Sequence, residues 1–152
     1  MRNINKKGER LNIYIATDHA GFEIKDFVKE EVKKYGGNII DLGSDSNDRV
    51  DYPDYAHKLC ELVVQDSDSQ GILICGTGIG MSIAANKHKG IRAALCTDAY
   101  MAQMTKAHND ANVLCLGQRV VGLGVIESIL RAWFTTSFEG GRHSCRIGKL
   151  EI

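Results

Sequence analysis

The run from Gly71 to Ile74 is apolar and ends at Cys75. Three glycines then alternate through Gly76, Gly78 and Gly80, and a helical pattern begins near Met81. An apolar strand joined to a helix by so short a turn predicts a buried strand with a helix starting at its carboxyl end. A helix start leaves its first backbone N–H groups without intrahelical acceptors, and the helix dipole adds positive potential there. Glycines let the backbone approach a ligand closely. The stretch reads as an anion cradle with a cysteine at its lip, a position that suits a thiolate.

The rest of the chain repeats this strand-then-helix pattern. Leu11 to Thr17 is β-rich, and Phe22, Ile24, Phe27, Val28, Val32 and Tyr35 recur at helical spacing until Gly36 and Gly37. Strands are also expected over 38–42, 72–75, 91–96 and 111–116. Helices are expected from Pro53 to about residue 65, over 80–89, over 98–107 and over 120–138, followed by a basic tail. Such alternation implies right-handed crossovers and a sheet covered on both faces. The expected fold is a three-layer, Rossmann-like, doubly wound α/β domain with a five-stranded parallel sheet. Residues 1–10 are polar, lack an apolar segment like that of a secretion signal, and read as a flexible extension; 11–152 read as one domain.

Composition narrows the function classes. Lys plus Arg and Asp plus Glu are both 19, so no charge excess points to nucleic acid. No apolar run reaches the roughly 20 residues needed to cross a bilayer, so no membrane partner is expected. Five cysteines occur with no C-x-x-C pair, against a disulfide framework or structural zinc and in favour of reduced thiols in the cytoplasm.

Ligands of doubly wound folds bind beyond the carboxyl ends of the strands. Asp18 and His19, the loop from Cys75 to Gly80, Thr97 and Asp98, the helix end His108-Asn109-Asp110, and Gly117-Gln-Arg119 are the residues expected there. The glycine loop is not a P-loop, having no Lys-Ser or Lys-Thr after the last glycine, and Met81 stands where a dinucleotide fingerprint needs a small residue. Asp98 lies 20 residues after Gly78, which leaves a nucleotide-binding module open as an alternative. A pocket for a smaller anion, or for a developing oxyanion, fits the loop better.

Asp18-His-Ala-Gly-Phe22, Asp51-Tyr-Pro53, Cys75-Gly-Thr-Gly-Ile-Gly80, Ala84-Ala-Asn-Lys87, Gly90-Ile-Arg-Ala93, His108-Asn-Asp110, Gly117-Gln-Arg-Val-Val-Gly122 and Glu139-Gly-Gly-Arg-His143 follow in order. Together they resemble the ribose-5-phosphate isomerase B family, which includes galactose- and allose-6-phosphate isomerases. The resemblance runs from Asn12 to Arg146. It implies an aldose–ketose isomerase of the non-oxidative pentose phosphate pathway, taking a sugar phosphate and needing no metal and no organic cofactor. It also implies a homodimer with sites built from two subunits, a dimer of dimers being open to it.

Moving a hydrogen between adjacent carbons through an enediolate needs a base, oxyanion donors, a ring opener and a phosphate clamp. The loop holds no carboxylate from Cys75 to Lys87, so Cys75 is the expected base. Backbone N–H groups of Gly76, Gly78, Ile79 and Gly80 are the expected oxyanion donors, with Thr77 either bonding a sugar oxygen or capping the loop. Following the family, His108 is the expected ring opener, with Asn109 binding sugar or enediolate oxygen. Asp18 is expected to bind a sugar hydroxyl or assist proton transfer, or to be only a helix N-cap. Arg142 and Arg146 share a face if the tail is helical, and with His19 and Arg119 they would grip phosphate, unless the tail, with His143 and Lys149, is a solvated basic face. Tyr52 is expected to line the sugar site.

Overall fold

The computed structural model describes residues 7–152. The expected extension over residues 1–10 lies, up to residue 6, outside the described residues. The elements are β1 (Asn12–Thr17), α1 (Phe22–Lys33), β2 (Asn38–Asp41), α2 (Tyr52–Gln65), β3 (Gln70–Cys75), α3 (Ile79–Ala85), β4 (Ala93–Leu95), α4 (Ala99–Asn109), β5 (Val113–Gly117), α5 (Leu123–Thr135) and α6 (Arg142–Ile147). All strand pairs are parallel, in the order β2-β1-β3-β5-β4. The fold class expected from the alternation is the one observed.

Side chains alternate across a strand, so each central strand feeds two cores. Ile13, Ile15, Ile72, Ile74, Leu114 and Leu116 pack with α1, α4 and α5. Tyr14, Ala16, Leu73, Cys75, Val113 and Cys115 pack with α2 and α3. Both faces are covered, which is why the strands read as continuous apolar runs. Trp133 on α5 anchors the first core, its Nε1 donating to Gln70 Oε1 at 2.6 Å, with Lys106 Nζ 4.7 Å from the ring centre.

Three expectations need correction. The strand expected over 91–96 is only Ala93–Leu95, and the helix expected over 80–89 ends at Ala85. One side chain accounts for both: Asn86 accepts from the Ala93 N–H at 2.9 Å and donates to Ser82 O and Ala93 O, closing the helix onto the start of the strand. The helix expected over 120–138 begins only at Leu123 and ends at Thr135, where Thr136 turns extended. The basic tail contains the short helix α6, which packs against α4 through the buried His143 and leaves Arg142 and Arg146 exposed.

The strand order reverses between β1 and β3, so the loops after these two strands part to opposite sides of the sheet. That topological switch point opens the crevice in which such folds hold ligands.

Candidate active site

The loops after β1, β3 and β5 are tied to one another through backbone bonds. Asp18 N–H donates to Ile74 O at 3.2 Å, Gln118 N–H to Cys75 O at 2.9 Å, and Arg119 N–H to Gly76 O at 3.0 Å. Asp18, Cys75 and Arg119 are thereby brought to one edge of the sheet. Cys75 is 5% exposed, and its Sγ accepts the Gly78 N–H at 3.1 Å. Gly78 has φ +79, and a Cβ there would sit 2.6 Å from Leu95 Cδ1 and 3.0 Å from the Leu116 carbonyl carbon. Only glycine follows this turn, and the turn is what aims the amide back at the sulfur.

The remaining thiols lie in other surroundings. Burial, then the charge of a neighbouring acid, pushes Cys60 and Cys96 up to about 12, and burial raises Cys115 well above the ordinary range. Those three are inert neutral thiols. Cys145 is exposed on α6.

The cradle is narrower than its glycines imply. The Ile79 N–H is taken by Thr77 Oγ1 at 3.2 Å, so Thr77 caps the loop, and the Gly78 N–H is held by the sulfur. Tyr52 covers the start of α3: a Cβ on Gly80 would meet the Tyr52 ring at 2.6 Å. Arg119 lies beside the loop, with its guanidinium 3.4 Å from a Cβ built on Gly76. His19 Nδ1 accepts the Val50 N–H at 3.3 Å, which fixes its tautomer and leaves Nε2 as a donor. Asp18 is buried and accepts the Ala20 N–H at 2.9 Å; the N-cap of α1 is Gly21, so the N-cap reading of Asp18 is wrong.

His108 and Asn109 are elsewhere. α4 runs back against the strands, so its end returns to their amino edge. Arg92, just before β4, donates to Asn109 O at 2.9 Å and to Asp110 O at 2.7 Å. Gly71, Val113 and Ala93 form one rung of the sheet, and Cys75 and Gly117 form the rung four residues on. At about 3.3 Å per residue these edges are roughly 13 Å apart. Placing His108-Asn109-Asp110 with the carboxyl ends of the strands was therefore an error: a helix that follows a strand must reverse direction before the next parallel strand can begin.

A second cluster forms at this amino edge. The His108 and His143 rings stack with centres 4.2 Å apart and planes 9° apart. Glu139 Oε2 lies 3.4 Å from His143 Nε2 and 3.8 Å from His108 Nε2. His143 is 5% exposed, and its Nε2 has no hydrogen-bond partner among the described residues. Burial first, then His108 and Arg142, holds its pKa below the ordinary histidine range. Arg142 and Arg146 are exposed one turn apart on α6, as their spacing requires. The three ligand atoms of His108, Glu139 and His143 lie within 4.8 Å of one another. Parallel rings send their nitrogen lone pairs side by side rather than to a common point, so this arrangement is poorly shaped for a metal.

Glu139 and His143 were missed as functional candidates. The available signal was the run Glu139-Gly-Gly-Arg-His143 itself, in which a glycine turn brings Glu139, in the loop over residues 136–140, back beside the first turn of α6. The candidate residues thus form two half-sites: Asp18, His19, Tyr52, the loop from Cys75 to Gly80 and Arg119 at one edge, and His108, Asn109, Arg142 and Arg146 at the other.

A family model described as Ribose/Galactose Isomerase matches residues 13–150. Among curated proteins, ribose-5-phosphate isomerase B of Escherichia coli is 46% identical over 135 residues, covering 89% of this chain and 91% of its own length. Among solved structures, ribose-5-phosphate isomerase B of Clostridium thermocellum superposes with a TM-score of 0.89 at 49% identity, covering 92% of this chain and 95% of that one. The type B ribose 5-phosphate isomerase of Trypanosoma brucei gives a TM-score of 0.90 at 44% identity, with coverage of 93% and 97%.

Proposed function

The chain belongs to the ribose/galactose isomerase family, and on that premise we propose that it interconverts D-ribose 5-phosphate and D-ribulose 5-phosphate. The observation that carries this reading is the amide of Gly78 aimed at the Cys75 sulfur in the switch-point crevice. Cys75, as thiolate, takes the proton from C2 of the open-chain aldose and returns it to C1. The carbonyl bond at C1 becomes an enediolate as the proton leaves and a carbonyl at C2 as it returns, while the O2 proton passes to O1. The charge on oxygen in between is met by loop amides. Each well-aimed donor is worth about 3 kcal/mol in such a transition state. Asp18 binds a sugar hydroxyl, Thr77 donates its hydroxyl hydrogen to a sugar oxygen while its Oγ1 caps the loop, and Tyr52 closes the sugar end.

His108 opens the furanose ring by giving a proton to the ring oxygen as the C1–O4 bond breaks; the O1 hydroxyl gives its proton to Asp18 as the C1 carbonyl forms, and Asn109 holds the oxygen beside it. His19 and Arg119 from one edge, with Arg142 and Arg146 from the other, grip the phosphate. Because the two half-sites sit at opposite edges of one chain, the working site takes His108 of the partner subunit and the loop of its own. A homodimer, or a dimer of dimers, supplies both. Ile79 and Ile83 on α3, 51% and 58% exposed, offer apolar surface beside the Cys75 loop for that contact. No described helix is long and apolar enough to cross a membrane, and the reading places the enzyme in the reducing cytoplasm.

The test is a coupled assay for D-ribulose 5-phosphate formed from D-ribose 5-phosphate by purified protein in the presence of a chelator. Turnover is expected. Activity lost in chelator overturns the metal-free mechanism, and a higher kcat/KM for allose 6-phosphate overturns the pentose assignment.

A further inference from the structure

His143 carries chemistry that the mechanism above leaves unused. It is a buried imidazole on α6, its Nε2 lacks a hydrogen-bond partner among the described residues, and it lies face to face with His108 on α4. A general acid must be held within a fraction of an ångström of its target, and a misplaced one loses orders of magnitude in rate. His108 sits on the last turn of its helix with its side chain 37% exposed, and the ring torsion of histidine is intrinsically broad. Nothing on α4 itself fixes that ring. What lies against it is the flat face of His143 at 4.2 Å, with Glu139 set to one side, 3.4 Å and 3.8 Å from the two Nε2 atoms.

We propose that His143 is a positioning residue for His108: its buried ring is the platform on which the His108 imidazole rests, with Glu139 on the Nε2 side of both rings. The inference rests on the ring-opening role proposed for His108. Burial disfavours charge on His143, and its flat face lies parallel to the His108 ring at 4.2 Å. Glu139 supplies the anion facing the pair, while Arg142 and Arg146 add positive charge that opposes a second proton.

A split between kcat and KM, with rescue by a flat ring, separates this role from general damage. D-ribose 5-phosphate enters as a furanose and needs ring opening. With His143→Ala, kcat for D-ribose 5-phosphate should fall by about tenfold or more, with little change in KM. His143→Phe keeps a flat platform of similar size and should restore most of the lost rate, which also serves if the alanine variant folds poorly. No loss of kcat, a loss carried by KM alone, or a phenylalanine variant as impaired as the alanine one overturns the proposal. If the parent protein does not act on D-ribose 5-phosphate, the isomerase reading itself falls.

Discussion

The Gly78 N–H points at the Cys75 sulfur from 3.1 Å, across a turn whose φ of +79 at Gly78 excludes any side chain. A thiolate accepts such a bond far better than a thiol, because charge-assisted hydrogen bonds are roughly twice as strong as neutral ones. The strand delivers the sulfur, the glycine delivers the donor, and neither does anything without the other. Cys75 keeps 5% of its surface exposed, against 1% or less for Cys60, Cys96 and Cys115.

Replacing Cys75 with alanine removes the proposed base and little else. The side chain is small and faces the core shared by Met81 and Cys115, so the stability cost is about 1–2 kcal/mol. Turnover should fall by about a thousandfold or more. Circular dichroism should stay at the parental level, and D-ribose 5-phosphate should still raise the melting temperature. A kcat within tenfold of the parent removes Cys75 from the mechanism.

Arginine removal should separate binding from chemistry. Arg119→Ala and Arg142→Ala each take one fork from the phosphate, from opposite edges of the subunit. KM for D-ribose 5-phosphate should rise about tenfold to a hundredfold with each, while kcat changes much less. Turnover of unphosphorylated D-ribose should be unchanged. A matching loss on D-ribose would show that these arginines support the fold rather than the phosphate.

Most of the fold was legible because both cores are apolar and the period-2 pattern of each central strand is filled on both faces. Asp98 was read correctly at the start of a helix, where its Oδ1 accepts the Met101 N–H. The misjudged boundaries trace to side chains acting over distance: Asn86 closes α3 through Ala93, a contact no local pattern encodes. The site was half legible. The loop announces itself locally, but His108 and Arg142 owe their place to the return direction of α4 and the packing of α6, which depend on topology. His143 looked like part of a solvated tail because its burial comes from α4.

Lys106 gives a stability signal of defined sign. Its ammonium is buried, bonded to Ala111 O at 2.9 Å and lying over Trp133, and burial lowers its pKa to about 8. An unfolded lysine titrates near 10.4, so between about pH 8 and 10 the unfolded chain binds more protons than the folded one, and this residue makes stability rise with pH. The buried thiols act oppositely above about pH 9, so the comparison must be with Lys106→Met. In urea titrations the stability of the parent relative to Lys106→Met should climb by up to about 3 kcal/mol from pH 7.5 to 10. A difference flat across that range shows that the lysine stays charged in the folded state.

The separation of Cys75 from His108 makes the strongest prediction about assembly. In a dimer with shared sites, each site takes the loop of one subunit and the α4 end of the other. Cys75→Ala and His108→Asn homodimers should both be inactive. Mixing them under conditions that exchange subunits yields heterodimers in which one site carries both substitutions and the other carries neither. Random exchange makes half the dimers mixed, with one intact site in each, so activity should recover to about a quarter of the parental level. If each chain instead completed its own site, every site would hold one lesion and mixing would recover nothing. Assaying the mixture before and after exchange, with size-exclusion chromatography to follow the dimer, decides between these outcomes.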